Sequence, residues 1–374
     1  MMVTRVATIA CALAILTGCN DNQPVTHEPV QYNIYAAGSN YLQNETVSHL
    51  YWYDADSLTL IDSLLLPNIA IWGEASPDGR YLYLVMWPYR TPGGQNYIAK
   101  WDVATKTELW RHQAEGYTDR SPFELIDRGR LLLYGREVID ANTGETVRRW
   151  EDSVYHRWEW NHGPENGHKI AAICRDTVSH HGWDTLVSAM DMRNGARYGG
   201  FVARFDADLP PLILKRARLH PDGRRVLCVG AHGSDQNAWF VVGDLVTGEQ
   251  LLRGQISTTF VEIGTSQHGE VAVVADRANK FFLYGLPSVH VYDLTEYVKL
   301  TTFVPVNGLE TTPGQVRFLP GDHRFAVFPD PGPTGTGWVQ VFDLNTLSNE
   351  AILPQPFPNV IGGAFAVGPR PTQP

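Results

Sequence analysis

The chain has 374 residues with a formal net charge of -10, and 43% of it is hydrophobic and 11% aromatic. Its 30 Lys and Arg form no cluster, so nucleic-acid binding has no electrostatic footing. With 34 Gly, 24 Pro and no amphipathic helical stretch, the composition predicts one long all-β domain of short strands joined by turns.

Arg5 opens the chain with positive charge, and residues 6–17 form an apolar run broken only by Thr8 and Thr17. That run is shorter than the roughly 20 residues a membrane span needs, and it fits a cleaved secretory segment. Leu16-Thr17-Gly18-Cys19 then resembles the lipobox of bacterial lipoproteins. The resemblance implies a signal peptide over 1–18, cleavage before Cys19, diacylation of its thiol and attachment to a membrane through that lipid. The alternative is an ordinary signal peptide with a chance cysteine near its end. Asn20, not Asp, follows the cysteine, which in that family favours the periplasmic side of the outer membrane over the inner membrane. Residues 19–30 are polar with two prolines and read as an extended tether. Cys174 and Cys228 remain, either as a periplasmic disulfide or as buried free thiols.

From residue 31 to 369 a unit recurs seven times: an apolar strand ending in Asp, a turn, and another strand. The aspartates are Asp54, Asp102, Asp140, Asp191, Asp244, Asp293 and Asp343, at steps of 48, 38, 51, 53, 49 and 50 residues. Asp accepts backbone N–H bonds within a turn, so these carboxylates are assigned to structure, not catalysis. A second turn precedes most units, clearest at Ser76-Pro77-Asp78-Gly79-Arg80 and His220-Pro221-Asp222-Gly223-Arg224. Strand, Pro-Asp-Gly turn, strand, variable loop, strand, Asp turn, strand describes a four-stranded antiparallel propeller blade. Only one strand, Tyr32–Gly38, fits before Asp54, while residues 358–365 form a surplus strand resembling 67–74. The expectation is an all-β, seven-bladed β-propeller whose C-terminal strand closes the first blade, followed by a 370–374 tail. An eight-bladed ring or two β domains would leave the orphan end strands unexplained.

These units resemble the YVTN-type bacterial propeller repeats, a WD40-like architecture. Trp101-Asp102-Val103-Ala104-Thr105 through Trp110 also resembles the repeat of pyrroloquinoline-quinone dehydrogenases. Only that unit and 139–150 come near the latter pattern, and the adjacent cysteine pair of the quinone enzymes is missing. The resemblance speaks for fold, and propellers host enzymes and scaffolds alike.

No C-x-x-C-H, H-E-x-x-H or G-x-S-x-G motif is present, so no catalytic residue and no cofactor is assigned. The second-to-third-strand connections are long, at 39–48, 86–96, 175–184, 230–237, 276–287 and 329–337. They and the segment 150–162 carry the binding-face candidates Trp87, Tyr89, Trp158, Trp160, Trp183, Phe281 and Tyr284. Trp and Tyr anchor protein or glycan partners, and function concentrates in long loops. His156, His162, His180, His181 and His232 lie in the same loops; they are metal-ligand candidates or simply solvated. Two functions stay open: a non-catalytic binding scaffold, or a lactonase-like or lyase-like hydrolase with a metal-assisted site at the channel mouth.

Overall fold

Strands covered on both faces read as continuous apolar runs, whereas a strand with one face in water alternates. Both patterns recur here in a fixed order. In the second unit, Tyr81–Trp87 (YLYLVMW) and Tyr97–Asp102 are buried nearly throughout, and Thr107–Gln113 alternates exposed with half-buried. The first strands of each unit therefore lie between neighbouring sheets, and the fourth forms the outer rim.

A computed structural model describes residues 30–39, 46–88, 94–113, 123–135, 137–149, 161–162, 169–175, 184–204, 212–231, 238–256, 261–276, 288–304, 313–329, 336–354, 357–358 and 363–371. Residues 32–374 make one compact unit, separate from 1–31. Blade one consists of β1 (Tyr32–Gly38), β2 (Ser48–Asp54), β3 (Leu60–Leu66) and, innermost, β30 (Gly363–Pro369). Blade two is β4 (Ile69–Ala75), β5 (Tyr81–Trp87), β6 (Tyr97–Asp102) and β7 (Thr107–Gln113). Blade three is β8 (Phe123–Ile126), β9 (Leu131–Tyr134), β10 (Glu137–Asp140) and β11 (Thr146–Arg149). Blade four joins β13 (Lys169–Arg175), β14 (Asp184–Asp191) and β15 (Arg197–Val202). Blade five is β16 (Ile213–Leu219), β17 (Arg225–Ala231), β18 (Ala238–Asp244) and β19 (Gln250–Ile256). Blade six is β20 (Val261–Thr265), β21 (Val271–Asp276), β22 (Ser288–Asp293) and β23 (Val298–Phe303). Blade seven is β24 (Pro313–Phe318), β25 (Arg324–Pro329), β27 (Gln340–Asp343) and β28 (Ser348–Ile352). Within each blade the pairing is antiparallel, as the repeat requires.

Two details depart from the expectation. The strand ahead of blade four shrinks to β12 (Asn161–His162), which pairs in parallel with β16 of blade five. Its surroundings, Asn161-His162-Gly163-Pro164, offer no apolar run, and proline brings no N–H to a ladder. The closing strand also lies further along the chain than residues 358–365. Phe357–Pro358 (β29) pairs instead with Thr336–Gly337 (β26), and the apolar run from Gly363 supplies β30. β30 then pairs with β1 over the whole of both strands, from Tyr32 opposite Pro369 to Gly38 opposite Gly363.

The core shows that the ring closes. Seven apolar clusters each join two consecutive blades, one cluster per junction. The seventh packs Ile34, Tyr53 and Phe365 of blade one against Ala326, Phe328 and Val341 of blade seven. Each fully buried aromatic or aliphatic side chain contributes about 1.5–3 kcal/mol. At the second junction the Trp110 ring lies against Gly144 of blade three, where an added Cβ would meet the ring at 2.9 Å. Cys228 is a buried free thiol inside the blade four–five cluster, and burial pushes its pKa up. Cys174 lies in β13, and its side chain falls outside the described residues.

Candidate functional site

The two faces of the ring differ in construction. On one, first strands turn into second strands and third into fourth. Each of the seven turn aspartates there accepts backbone amides through Oδ1. Asp54 holds Asp56 N at 2.9 Å and Ser57 N at 2.7 Å, and Asp343 holds Asn345 N at 2.6 Å and Thr346 N at 2.9 Å. Asp102, Asp140, Asp191, Asp244 and Asp293 do the same. Four residues after each aspartate the backbone is left-handed. Glycine takes that place at Gly144, Gly195 and Gly248, but Leu58, Lys106, Tyr297 and Leu347 take it at φ 51–57°.

The carbonyl immediately after the aspartate receives a cation from the preceding blade. Lys100 Nζ reaches Ala141 O at 3.0 Å, Arg225 reaches Leu294 O at 3.0 Å, and Arg324 reaches Ala55 O at 3.0 Å. Lys100 is buried with its ammonium 3.9 Å from the Tyr81 ring centre, and burial pushes its pKa down. Asp222 is opposed by burial, yet the His220 contact, the amides of Arg225 and Arg224 and the Arg225 guanidinium together hold it well below the usual carboxylate range. Arg224 bonds Asp244 at 2.7 Å, which with two turn amides brings that carboxyl down to about 2. The turn face spends its polar groups on fixing its own turns and, through the cation–carbonyl bonds, on holding blades together.

The inner strands carry a charge network that the repeat pattern does not reveal. Arg317 on β24 bonds Glu74 of blade two at 2.8 Å and lies 4.0 Å from the buried Glu262 of blade six. Arg216 and Arg218 on β16 reach Val261 O at 3.3 Å and Thr265 Oγ1 at 3.1 Å. Gln315 Nε2 donates to Gly363 O at 2.6 Å. The signal was present: Arg interrupts the apolar strand two residues before the turn-opening position in both RARLHP and QVRFLP. A further buried carboxylate, Glu137, sits between His112, at 2.9 Å, and Arg149 at the blade two–three junction. His112 offers its other ring nitrogen to Gly144 O at 2.8 Å. Apart from the Arg149–Glu137 pair within blade three, these contacts cross blade boundaries, so they read as staples.

At the opposite face second strands end and third strands begin; most residues of the long connections between them lie outside the described residues. Trp87 ends β5 there, half-buried and packed on the blade two–three cluster. The strand of His162 is described, but its side chain is not. Tyr89, Trp158, Trp160, Trp183, Phe281, Tyr284, His156, His180, His181 and His232 lie outside the described residues. Among the described residues no group of three or more His, Cys, Asp or Glu is arranged to hold a metal ion.

No protein-family model and no curated protein matches the chain. Solved structures do resemble it. The hydrazine synthase of Kuenenia stuttgartiensis superposes with a TM-score of 0.52 at 12% identity, over 74% of this chain and 77% of that one. The structure of U3-55K gives a TM-score of 0.52 at 13% identity, over 76% and 81%. At such identities the likeness speaks for a β-propeller-like fold and for nothing about chemistry.

Proposed function

We propose that this chain is a lipid-anchored β-propeller of the bacterial cell envelope, of the YVTN type, whose loop face captures a protein or glycan partner. The observation that carries the reading is the asymmetry between the faces. Turn aspartates and inter-blade cations occupy one face with structural bonds. The other holds the length and the aromatic residues that scaffolding does not need. Leu16-Thr17-Gly18-Cys19 supports the anchor, and Asn20 supports the periplasmic side of the outer membrane.

Mass spectrometry of the mature protein tests the anchor: the expected N-terminal fragment begins at an acylated Cys19, and Cys19→Ser accumulates as uncleaved precursor. A free, unlipidated N-terminus beyond residue 19 overturns it. Affinity capture from the native membrane tests the scaffold role. Its expected product is one stoichiometric partner, whereas turnover of lactone or polysaccharide substrates with a bound metal would assign an enzyme.

A further inference from the structure

The Glu137 side chain is fully buried at the blade two–three junction, and the His112 ring, 13% exposed, closes over it from blade two. Both ring nitrogens of His112 face acceptors. Nδ1 lies 2.8 Å from Gly144 O, and Nε2 lies 2.9 Å from Glu137 Oε2. A carbonyl oxygen has no proton to give, and neither has an ionised carboxylate. A neutral imidazole owns one N–H, so its other nitrogen would turn a lone pair on one of these oxygens. The imidazolium donates to both.

A proton placed on Glu137 instead would also fill both bonds. Arg149 decides against that arrangement. Its guanidinium bonds the other carboxyl oxygen, Oε1, and so favours the charged form of Glu137. The other charged groups on the elements around the ring have their own places. On β7 itself, Glu108 and Arg111 pair with each other at 2.9 Å. β6 sets Ile98 opposite His112, and its Lys100 and Asp102 are engaged on Ala141 O and on Arg80. In blade three Asp140 holds the turn amides of Asn142 and Thr143, while Glu145 stands exposed on the turn and Arg148 on β11.

We infer that His112 is a proton-dependent latch between blades two and three. While the ring carries both protons, it bonds the start of β10 and the turn after it at once. Loss of either proton breaks one bond and leaves two acceptors opposed, one of them on a buried carboxylate. The support is therefore complete while the ring is protonated and is withdrawn as the pH rises.

Nitrogen-15 NMR of the full-length protein at about pH 7 tests the protonation, with the ring assigned by its through-space contacts to Glu137 and Gly144. Two protonated ring nitrogens are the expected result. One nitrogen with a free lone pair overturns the inference, wherever the proton has gone. This reading needs only the unsubstituted protein. Urea unfolding of the wild type and His112→Gln from about pH 6 to pH 9 tests the latch. Glutamine keeps a donor without a titrating ring, and the two proteins share every other histidine. The wild-type midpoint should lie above that of the variant at the acid end, and the gap should narrow toward the alkaline end. A gap that stays constant or widens overturns the latch.

Discussion

Gln315 Nε2 donates to the Gly363 carbonyl at 2.6 Å, tying the inner strand of blade seven to the chain's last strand through a side chain. The same nitrogen lies 3.4 Å from Ile71 O in blade two, and Arg317 two residues on bonds Glu74. Blade seven thus reaches past the closing strand to the blade beyond it.

Removing residues 356–374 takes away β30 and half of that clasp. We expect loss of cooperative unfolding of the whole ring, not fraying at one end. Gln315→Ala, which leaves two buried carbonyls short of a donor, should cost about 1–3 kcal/mol. Urea unfolding checks both, with a lowered midpoint at unchanged slope for the point variant. A truncated protein melting at the full-length temperature would sink the closure argument.

Two equivalent turns give an internal control. Gly79 and Gly223 both hold positive φ, at 69° and 68°. An alanine Cβ at 79 would come within 1.7 Å of Pro369 O, whereas at 223 it meets nothing within 4 Å. Gly223→Ala should therefore cost only the left-handed penalty of about 1–2 kcal/mol. Gly79→Ala must also displace the closing strand's end, and its melting temperature should fall further. Equal losses would show that Pro369 yields freely.

Leu347 occupies the left-handed turn position that glycine fills in three other blades, and its side chain is 46% exposed. Leu347→Gly should raise stability by about 0.5–1 kcal/mol, the relieved strain exceeding the added freedom of the unfolded chain. Thermal melting reads the sign directly.

Arg224 and two turn amides lower Asp244 from 3.8 to about 2 in the folded state. A depressed carboxylate stabilises the fold above its unfolded pKa and withdraws that support as pH falls toward the folded value. Stability should thus decline between about pH 4 and pH 2. Asp244→Asn keeps an acceptor for the turn amides but removes the titrating charge, so its acid limb should be shallower than that of the wild type. An unchanged limb in pH-dependent urea titrations would assign acid lability to other carboxylates.

The functional face can be tested once a ligand is in hand. Trp158→Ala and Trp183→Ala should weaken capture by about 2 kcal/mol or more with little loss of stability. Trp87→Ala should lose both, because its ring also packs on the blade two–three cluster. Asp78→Ala and Asp222→Ala remove turn and arginine contacts and should cost stability while sparing binding. Turn variants that lose capture at full stability would place the site on the wrong face.

The blade count and the role of the seven aspartates were legible because both are local. An Asp turn needs only its own few residues, and the strands between turns announce themselves by apolar runs. The orphan strand at Tyr32 also foretold which blade would close the ring. The closing strand's position was less legible: residues 358–365 and 363–369 are both apolar enough to pair, and only packing against β1 chooses between them. The staples Lys100–Ala141, Arg317–Glu74 and His112–Glu137 join residues 41, 243 and 25 positions apart. Their geometry depends on the angle between adjacent sheets, which no single repeat encodes. The loop-face aromatics were assigned by residue type and loop length alone, since loops lack a period that would fix their direction.

Blade one contains both the earliest and the latest strand of the chain, with Ile34 paired to Val367. A polypeptide made N-terminus first therefore presents β1, β2 and β3 long before β30 arrives. The inner edge of that sheet stays unpaired until then, and the register that completes it spans more than three hundred positions. Blades two to six hold all their strands between Ile69 and Phe303 and can pair as they emerge. Blade one is thus the one sheet among the described strands whose completion needs the last residues, through the longest-range pairing in the ring. A holding factor that shields β1 during that interval, or a slow phase lost when β30 is supplied as a separate peptide, would be the kinetic trace of this strand order.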